Sequence, residues 1–537
     1  MNLFIMKKLL RRFFVFAAFA VSVALQGGGV RSLHDVKDHG AKGDGATLDT
    51  GAIQGAVDAC HAAGGGMVWF PAGVYLAGTI QLRDNVTLHL TAGARILGSA
   101  SAEDYTEVEK LYRQGIIKIG ATSSGAEGYP QRHLIYARDA KNIAIEGSGT
   151  IDGNGDAYFS EDMSEVRQRP NPMFEFLNCE GIRIENINIR NAPCWTVHVK
   201  NCEDVKIRGC SIINNLRAAN SDGIDIDSSR KVIVSDCRIE AGDDCIVLKT
   251  TKMGGVTPPT ENVVVTNCVM ISAASALKLG TESHGDFRHV SMSNCTIRDS
   301  RTGIAFFVKD GGTMQDVRFS NISITTKQKW GSGNEWPIFM EISRRQKDSR
   351  LGAIRDVSFS DITIYSRGRN FISGHHQSPL ENVVLRNIFF DMVGDEDVSR
   401  AKKISGGAGG VDVDVDYGKI PAALILANAK GVVVDGFNAR WSVVSGGGGE
   451  GGKTKQPRHV IFADRVEDAR FDGVSTRASE EGVDAVKVVR SGISISGTMV
   501  TKGDAKDAEA EDARLKAIRS EITRRRGAKP KPVETQP

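Results

Sequence analysis

The sequence predicts an all-β fold, a single-stranded right-handed parallel β-helix (a solenoid) with a short N-terminal helix. Three observations predict it. A short unit of the form polar-x-[Ile/Val]-x-[Ile/Val/Phe]-x-[Asn/Asp]-[Cys/Ile]-x-[Ile/Val] recurs along the chain, as in GIRIENINIR (181–190), NVVVTNCVMI (262–271) and DVSFSDITIY (356–365). Its lead hydrophobes are Ile182, Val205, Val232, Val263, Val290, Val317, Val357 and Val383, most of them spaced in the twenties. A repeat of that length built from strand and turn is the mark of a solenoid whose coils bury one another's faces. Finally, 59 glycines and only 6% aromatic residues suit turn-rich β structure better than a helical bundle.

Each element follows from local pattern. Residues Lys7, Lys8, Arg11 and Arg12 precede an apolar run from Phe13 to Leu25, then small residues. That pattern is expected to be a secretory signal over residues 1–27, so the protein is expected to be secreted or periplasmic, without stable membrane insertion after signal removal. Thr50–Ala62 is expected to form the helix, with Ile53, Val57 and Cys60 on one face. The stretch Asp44–Asp49 is expected to be a turn before that helix. Alternation in the repeats places β-branched residues inside and polar ones outside. Asn186, Asn267, Asn294, Asn321 and Asn387 fall at the turns, where Asn tolerates left-handed backbone and can ladder to its neighbours.

Longer steps mark two insertions, Met253–Pro259 and Lys327–Arg345, placed to wall a cleft. One solenoid domain is expected over 28–500, with loops at 406–416 and 446–455. Residues 501–537 form a charged tail, disordered or helical. Nine cysteines leave at least one without an intrachain partner. Cys210, Cys237, Cys268 and Cys295 recur at one repeat position, and Cys179 and Cys202 share another, which points to stacking in the core rather than a disulfide framework. A formal net charge of +3 offers no case for nucleic acid, and a monomer is expected.

The stretch Asn220–Lys249 carries the chemistry. Asp222 and the turn Gly242-Asp243-Asp244 come level if the runs Lys231–Val234 and Ile246–Leu248 are strands of successive coils. Like charges held that close push one pKa up and set a protonated acid beside ionised ones. Asp225 and Asp227 are expected to be merely solvated or capping.

With these residues in place, the chain resembles glycoside hydrolase family 28, the polygalacturonases and their relatives, over roughly 36–390. The likeness rests on HGAKGDGATLDTGAIQGAVDAC (39–60), PAGVYLAGTIQLRDNVTLHLTAGARILG (71–98) and PCWTVHVKNCEDV (193–205). Most diagnostic are Asn220-Ser221-Asp222 and Gly242-Asp243-Asp244, which match the family's Asn-Thr-Asp and Gly-Asp-Asp at preserved spacing. The resemblance implies an inverting hydrolase of a pectin-like polysaccharide or oligosaccharide, with no cofactor and no metal. It makes Asp243 the general acid, with Asp222 and Asp244 holding and deprotonating the attacking water. An inverting pair is expected to stand about 6.5–9.5 Å apart.

The chain departs from the family in two places. Ser275 stands where the family's Gly-His-Gly has histidine, and Ala305-Phe306-Phe307 replaces the Arg-Ile-Lys that grips a substrate carboxylate. Strand parity turns Lys249, Lys278 and Lys309 outward, either to hold an acidic sugar and tune the acids or to form surface salt bridges. Glu282 is either a further site carboxylate or a turn cap. His198 either orients substrate or is a packed supporting residue. His284, His375 and His376 are weaker candidates on loops. Trp195 is either a stacking platform or core, whereas Trp330 and Trp336, in the second insertion, are the better platforms. Two rivals stay open: a polysaccharide lyase, which needs a strong base and often calcium, and a carbohydrate-binding β-solenoid without catalysis.

Overall fold

The computed structural model describes residues 32–107, 132–163, 166–167, 169–327, 334–393, 398, 417–442 and 458–496. The expected signal at 1–27, the tail at 501–537, the loops at 406–416 and 446–455, and Trp330 lie outside the described residues.

Strands from Ser32–Asp35 to Ile493–Ile495 join one continuous network of 36 among the described residues. Every strand pairing in it is parallel, each strand lying on its counterpart one coil later, as a parallel β-helix requires. The predicted repeat is the coil. Ile182 pairs with Val205, and the row continues through Val232, Val263, Val290, Val317, Val357 and Val383, all 2% exposed or less. Burying one branched side chain per coil in an unbroken stack is worth roughly 1.5–3 kcal/mol each.

The turn asparagines behave as the pattern predicts. Asn186, Asn267, Asn294, Asn321 and Asn387 all have φ between 51° and 57°. The Asn321 amide donates to Asn294 Oδ1 at 2.8 Å, one coil below. Replacing Asn321 with alanine removes that rung and forces a Cβ-bearing residue without local hydrogen bonding into left-handed backbone. A loss of about 1–2 kcal/mol is expected in the unfolding free energy, with Asn321→Gly costing less because glycine accepts that backbone. Equal denaturant midpoints for the alanine variant and the wild type would contradict this.

The helix spans Thr50–Ala62 and buries Ile53, Val57 and Cys60 on one face as expected, together with Ala56, against the first coils. Asp44–Leu48 is a short strand rather than a turn. Asp44 Oδ1 accepts from the Ala46 and Thr47 amides and Asp49 accepts from Lys42 and Gly43, so both acids brace backbone. All nine cysteines are buried free thiols. The second insertion is only partly a loop, because Trp336–Ile342 is a strand continuing the stack.

Candidate active site

Asp222 directly precedes Gly223 and the strand Ile224–Asp227, and Asp244 stands two residues ahead of the strand Ile246–Thr250. The Gly223 amide donates to the Asp244 carbonyl (2.9 Å) and the Cys245 amide to the Ser275 carbonyl (3.0 Å). Asp222, Asp244 and Ser275 therefore stack on three successive coils. Gly242 is required at this turn, since a Cβ there would meet the Ala218 carbonyl at 2.3 Å and Ser221 Oγ at 2.5 Å. One oxygen from each of Asp222, Asp243 and Asp244 lies within 4.8 Å of the others. That is nearer than the separation expected of an inverting pair. The reason is geometric: Asp222 and Asp244 are one strand spacing apart, about 4.7–4.9 Å, and Asp243 adjoins Asp244 in its turn. Spacing alone does not select the stereochemistry.

The three acids differ in surroundings. Asp222 and Asp244 are each 2% exposed, while Asp243 is half-buried. Asp244 accepts the Ser275 amide at 3.1 Å and the Lys278 ammonium at 2.6 Å. Asp243 Oδ2 accepts from Asn220 Nδ2 at 3.4 Å, and Asn220 is held by Arg169 at 3.3 Å. Burial, then the negative charge of Asp244, pushes the Asp243 carboxyl up to about 6. Burial, Asp243 and Asp225 together hold Asp222 well above the ordinary carboxylate range. A proton is thus retained in this cluster at a pH where free carboxylic acids have lost theirs. The all-oxygen donor set also suits a hard cation, and the Lys278 ammonium already meets one of its oxygens.

The outward-facing charges lie under cover rather than in solvent. Asp225 and Asp227 have no exposure, so neither is solvated; Asp227 Oδ1 accepts the Thr251 amide at 2.8 Å, as the capping alternative has it, whereas Asp225 caps nothing among the described residues. Lys249, 2% exposed, places Nζ 3.3 Å from Asp225, 3.6 Å from Glu282 and 4.0 Å from the centre of the Trp195 ring. Glu282 lies inside the strand Ser275–Ser283 and is no turn cap. Lys278 is paired with Asp244, and Lys309 is fully buried beside Phe307, so none of these lysines makes a surface salt bridge. His198 sits between Glu175 (2.7 Å) and Asp227 (3.4 Å). Burial opposes its protonation, but the two carboxylates prevail and lift its pKa to about 9. Asp227 falls below the ordinary range because Lys200 and His198 outweigh the burial that opposes this. The fold thus gathers Lys249, Lys278, Glu282 and His198 beneath or beside the acids, while Lys309 is buried with its ammonium 5.7 Å from the centre of the Phe307 ring.

A family model described as glycosyl hydrolases family 28 matches residues 85–407. The chain belongs to glycosyl hydrolase family 28. It is 29% identical over 310 residues to a probable polygalacturonase of Vitis vinifera, covering 55% of this chain and 62% of that one. It is 27% identical over 320 residues to an exo-poly-alpha-D-galacturonosidase of Dickeya chrysanthemi, covering 50% and 51%. The chain thus spans between half and two thirds of the length of these relatives. A crystal structure of a hyperthermoactive exopolygalacturonase from Thermotoga maritima superposes with a TM-score of 0.55 at 22% identity, covering 67% of this chain and 87% of that one, a likeness of fold.

The side of the site beyond Lys278 is apolar. Ala305 and Phe306 are fully buried, and Phe307 packs 5.1 Å from Phe339. Phe339, Phe371, Tyr417 and Ile420 extend this into an apolar wall over the outer face of the coils. Tyr417 donates to Asp464 at 2.8 Å, and Arg369 donates to the Ile420 carbonyl at 2.6 Å, which fastens the cover. Trp336 belongs to this wall, and Trp195 is a buried support for Lys249 and His198. His284 lies 3.8 Å from Asp310, and the His375 and His376 rings lie 4.2 Å apart, tilted by 36°, on a turn. Sequence reasoning missed Arg169 and Glu175. Arg169 reaches Asn220 across 51 residues, and Glu175 meets His198 only because they fall one coil apart. Neither carries a motif.

Proposed function

We propose that this family 28 chain hydrolyses glycosidic bonds in a pectin-like polysaccharide, with inversion at the anomeric carbon. The observation that carries the reading is the convergence of Asp222, Asp243 and Asp244 within 4.8 Å, with Asp243 the most open of the three. Asp243 is assigned to protonate the leaving glycosidic oxygen. Asp222 and Asp244 are assigned to hold and deprotonate the attacking water, with Lys278 as counter-charge to Asp244. Lys249, Glu282 and His198 are read as the scaffold that keeps these acids in place, and Lys309 as a support of the wall.

The names of the relatives support a galacturonan substrate, and that of the exo-acting relative supports attack at a chain end. The leader over 1–27, the solenoid domain over 28–500, the tail over 501–537, export and a monomeric state complete the proposal. Among the described residues no helix is long and apolar enough to cross a membrane.

The test is a panel of homogalacturonan, rhamnogalacturonan and their oligosaccharides, incubated with chelator and followed by mass. Saturated fragments, mono- or disaccharide from the outset, are expected from one glycan. Because the working form of Asp243 is protonated, kcat/KM should fall as pH rises through about 6, with the apparent value belonging to the coupled acids together. A profile that rises across that range, or unsaturated and calcium-dependent products, would contradict the assignment. Binding without any release would favour the non-catalytic solenoid.

A further inference from the structure

The geometry points to Arg301 as the group that holds a uronate carboxylate on the C-terminal side of the acids. It takes over a task that Ala305-Phe306-Phe307 cannot perform, and it rests on the hydrolase reading above. The coil register places it there. Ser275 pairs with Thr302, the Thr302 amide donates to the Ala274 carbonyl at 2.8 Å, and the Cys245 amide donates to Ser275. Asp243, Ala274 and Arg301 are therefore equivalent positions on three successive coils. Two coil spacings amount to about 10 Å. Ala274, the position between Asp243 and Arg301 in this column, contributes only a methyl group.

The other cations near the acids are already engaged or, for Lys309, shut away from solvent. Lys278 is on Asp244 at 2.6 Å, and Lys249 lies between Asp225 and Glu282. Arg345 is on Asp310 at 2.7 Å, and Arg169 is on the Pro193 and Ala219 carbonyls. Lys309 has no exposure at all. Arg301 is half-buried, and among the described residues its guanidinium has neither a hydrogen bond nor an ion pair. It is near enough to Asp243 to favour that acid's charged form, though more weakly than Lys278 or Lys249. The Trp336 amide donates to the Arg301 carbonyl at 3.0 Å, which sets the edge of the aromatic wall on the next coil. A planar, always-charged fork in the same column as Asp243 matches a carboxylate in two-point contact.

The test compares kcat and KM of wild type, Arg301→Gln and Arg301→Lys on an oligouronide and on its methyl ester, which keeps the shape and loses the charge. Arg301→Gln should raise KM on the oligouronide by about tenfold or more. It should change the ester by less than about twofold and leave kcat near wild type on both, with Arg301→Lys recovering part of the loss. Equal changes on the two substrates, or none, would overturn the anchor. So would a lowered thermal midpoint for Arg301→Gln, because it would reveal a structural partner. If wild type cleaves only neutral oligosaccharides, the anchor falls and the hydrolase stands. If it cleaves no glycan, both fall.

Discussion

Asp243→Asn is expected to lower kcat by at least about a hundredfold, the lower end of what a positioned general acid contributes, while leaving the fold intact. Asparagine keeps the shape and the contact with Asn220 but has no proton to deliver. The stability side can be signed. Folding raises the Asp243 carboxyl from its ordinary 3.8 to about 6, so the folded chain binds that proton more tightly than the unfolded one. The stabilisation it brings is complete below about pH 4 and is lost as pH rises through about 6. At neutral pH the charged group is a burden that the variant lacks. The thermal midpoint of Asp243→Asn at pH 7 should therefore equal or exceed that of wild type. Retained hydrolysis would remove Asp243 from the acid's role, and a large drop in midpoint would make it a structural residue instead.

The second large effect lies beneath the acids. Lys249→Met should destabilise the protein by about 3–5 kcal/mol, the usual result of removing one partner from a buried ionic cluster. Its ammonium serves Asp225 and Glu282 together and sits over the Trp195 ring. Burial alone would drive the ammonium to lose its proton, but Glu282, Asp225 and Asp222 hold its pKa well above the ordinary value. Losing it leaves the buried Asp225 without its 3.3 Å partner and Glu282 with Arg345 alone, at 3.8 Å. Adding Asp225→Asn to Lys249→Met should recover part of the loss, and the coupling between the two changes measures the pair. A cost below about 1 kcal/mol, the scale of an exposed pair, would show that solvent reaches this cluster.

The fold was readable because the solenoid repeats its physics. The same hydrophobic position returns in each coil, and the row from Ile182 to Val383 is that position seen in space. The acids were readable because three carboxylates at one level are costly without a chemical use. What covers the outer face was not readable. Parity separates the inside of a coil from its outside and is silent on what packs over the outside. Lys249, Lys278, Asp225 and Asp227 therefore looked like surface groups, although all are buried or nearly so. Trp195 lies over Lys249, and farther along the stack Tyr417 and Ile420, which fall outside the repeat, pack over the aromatic residues of the same face. Trp336 was misplaced for a related reason: a long insertion suggested a loop, yet its end returns to the stack as a strand. Arg301 sits in the turn before Thr302, where no motif marks it and only the register shows that it shares a column with Asp243.

The most direct measurement is proton NMR of the newly released reducing end during the first minutes of cleavage, with chelator present. Asp222 and Asp244 activating a water while Asp243 protonates the leaving oxygen must give the anomer opposite to that of the substrate, on a saturated sugar. Retention would mean that one of the close-set carboxylates attacks the sugar itself, and an unsaturated product would mean elimination. Either would contradict the roles assigned to the three aspartates.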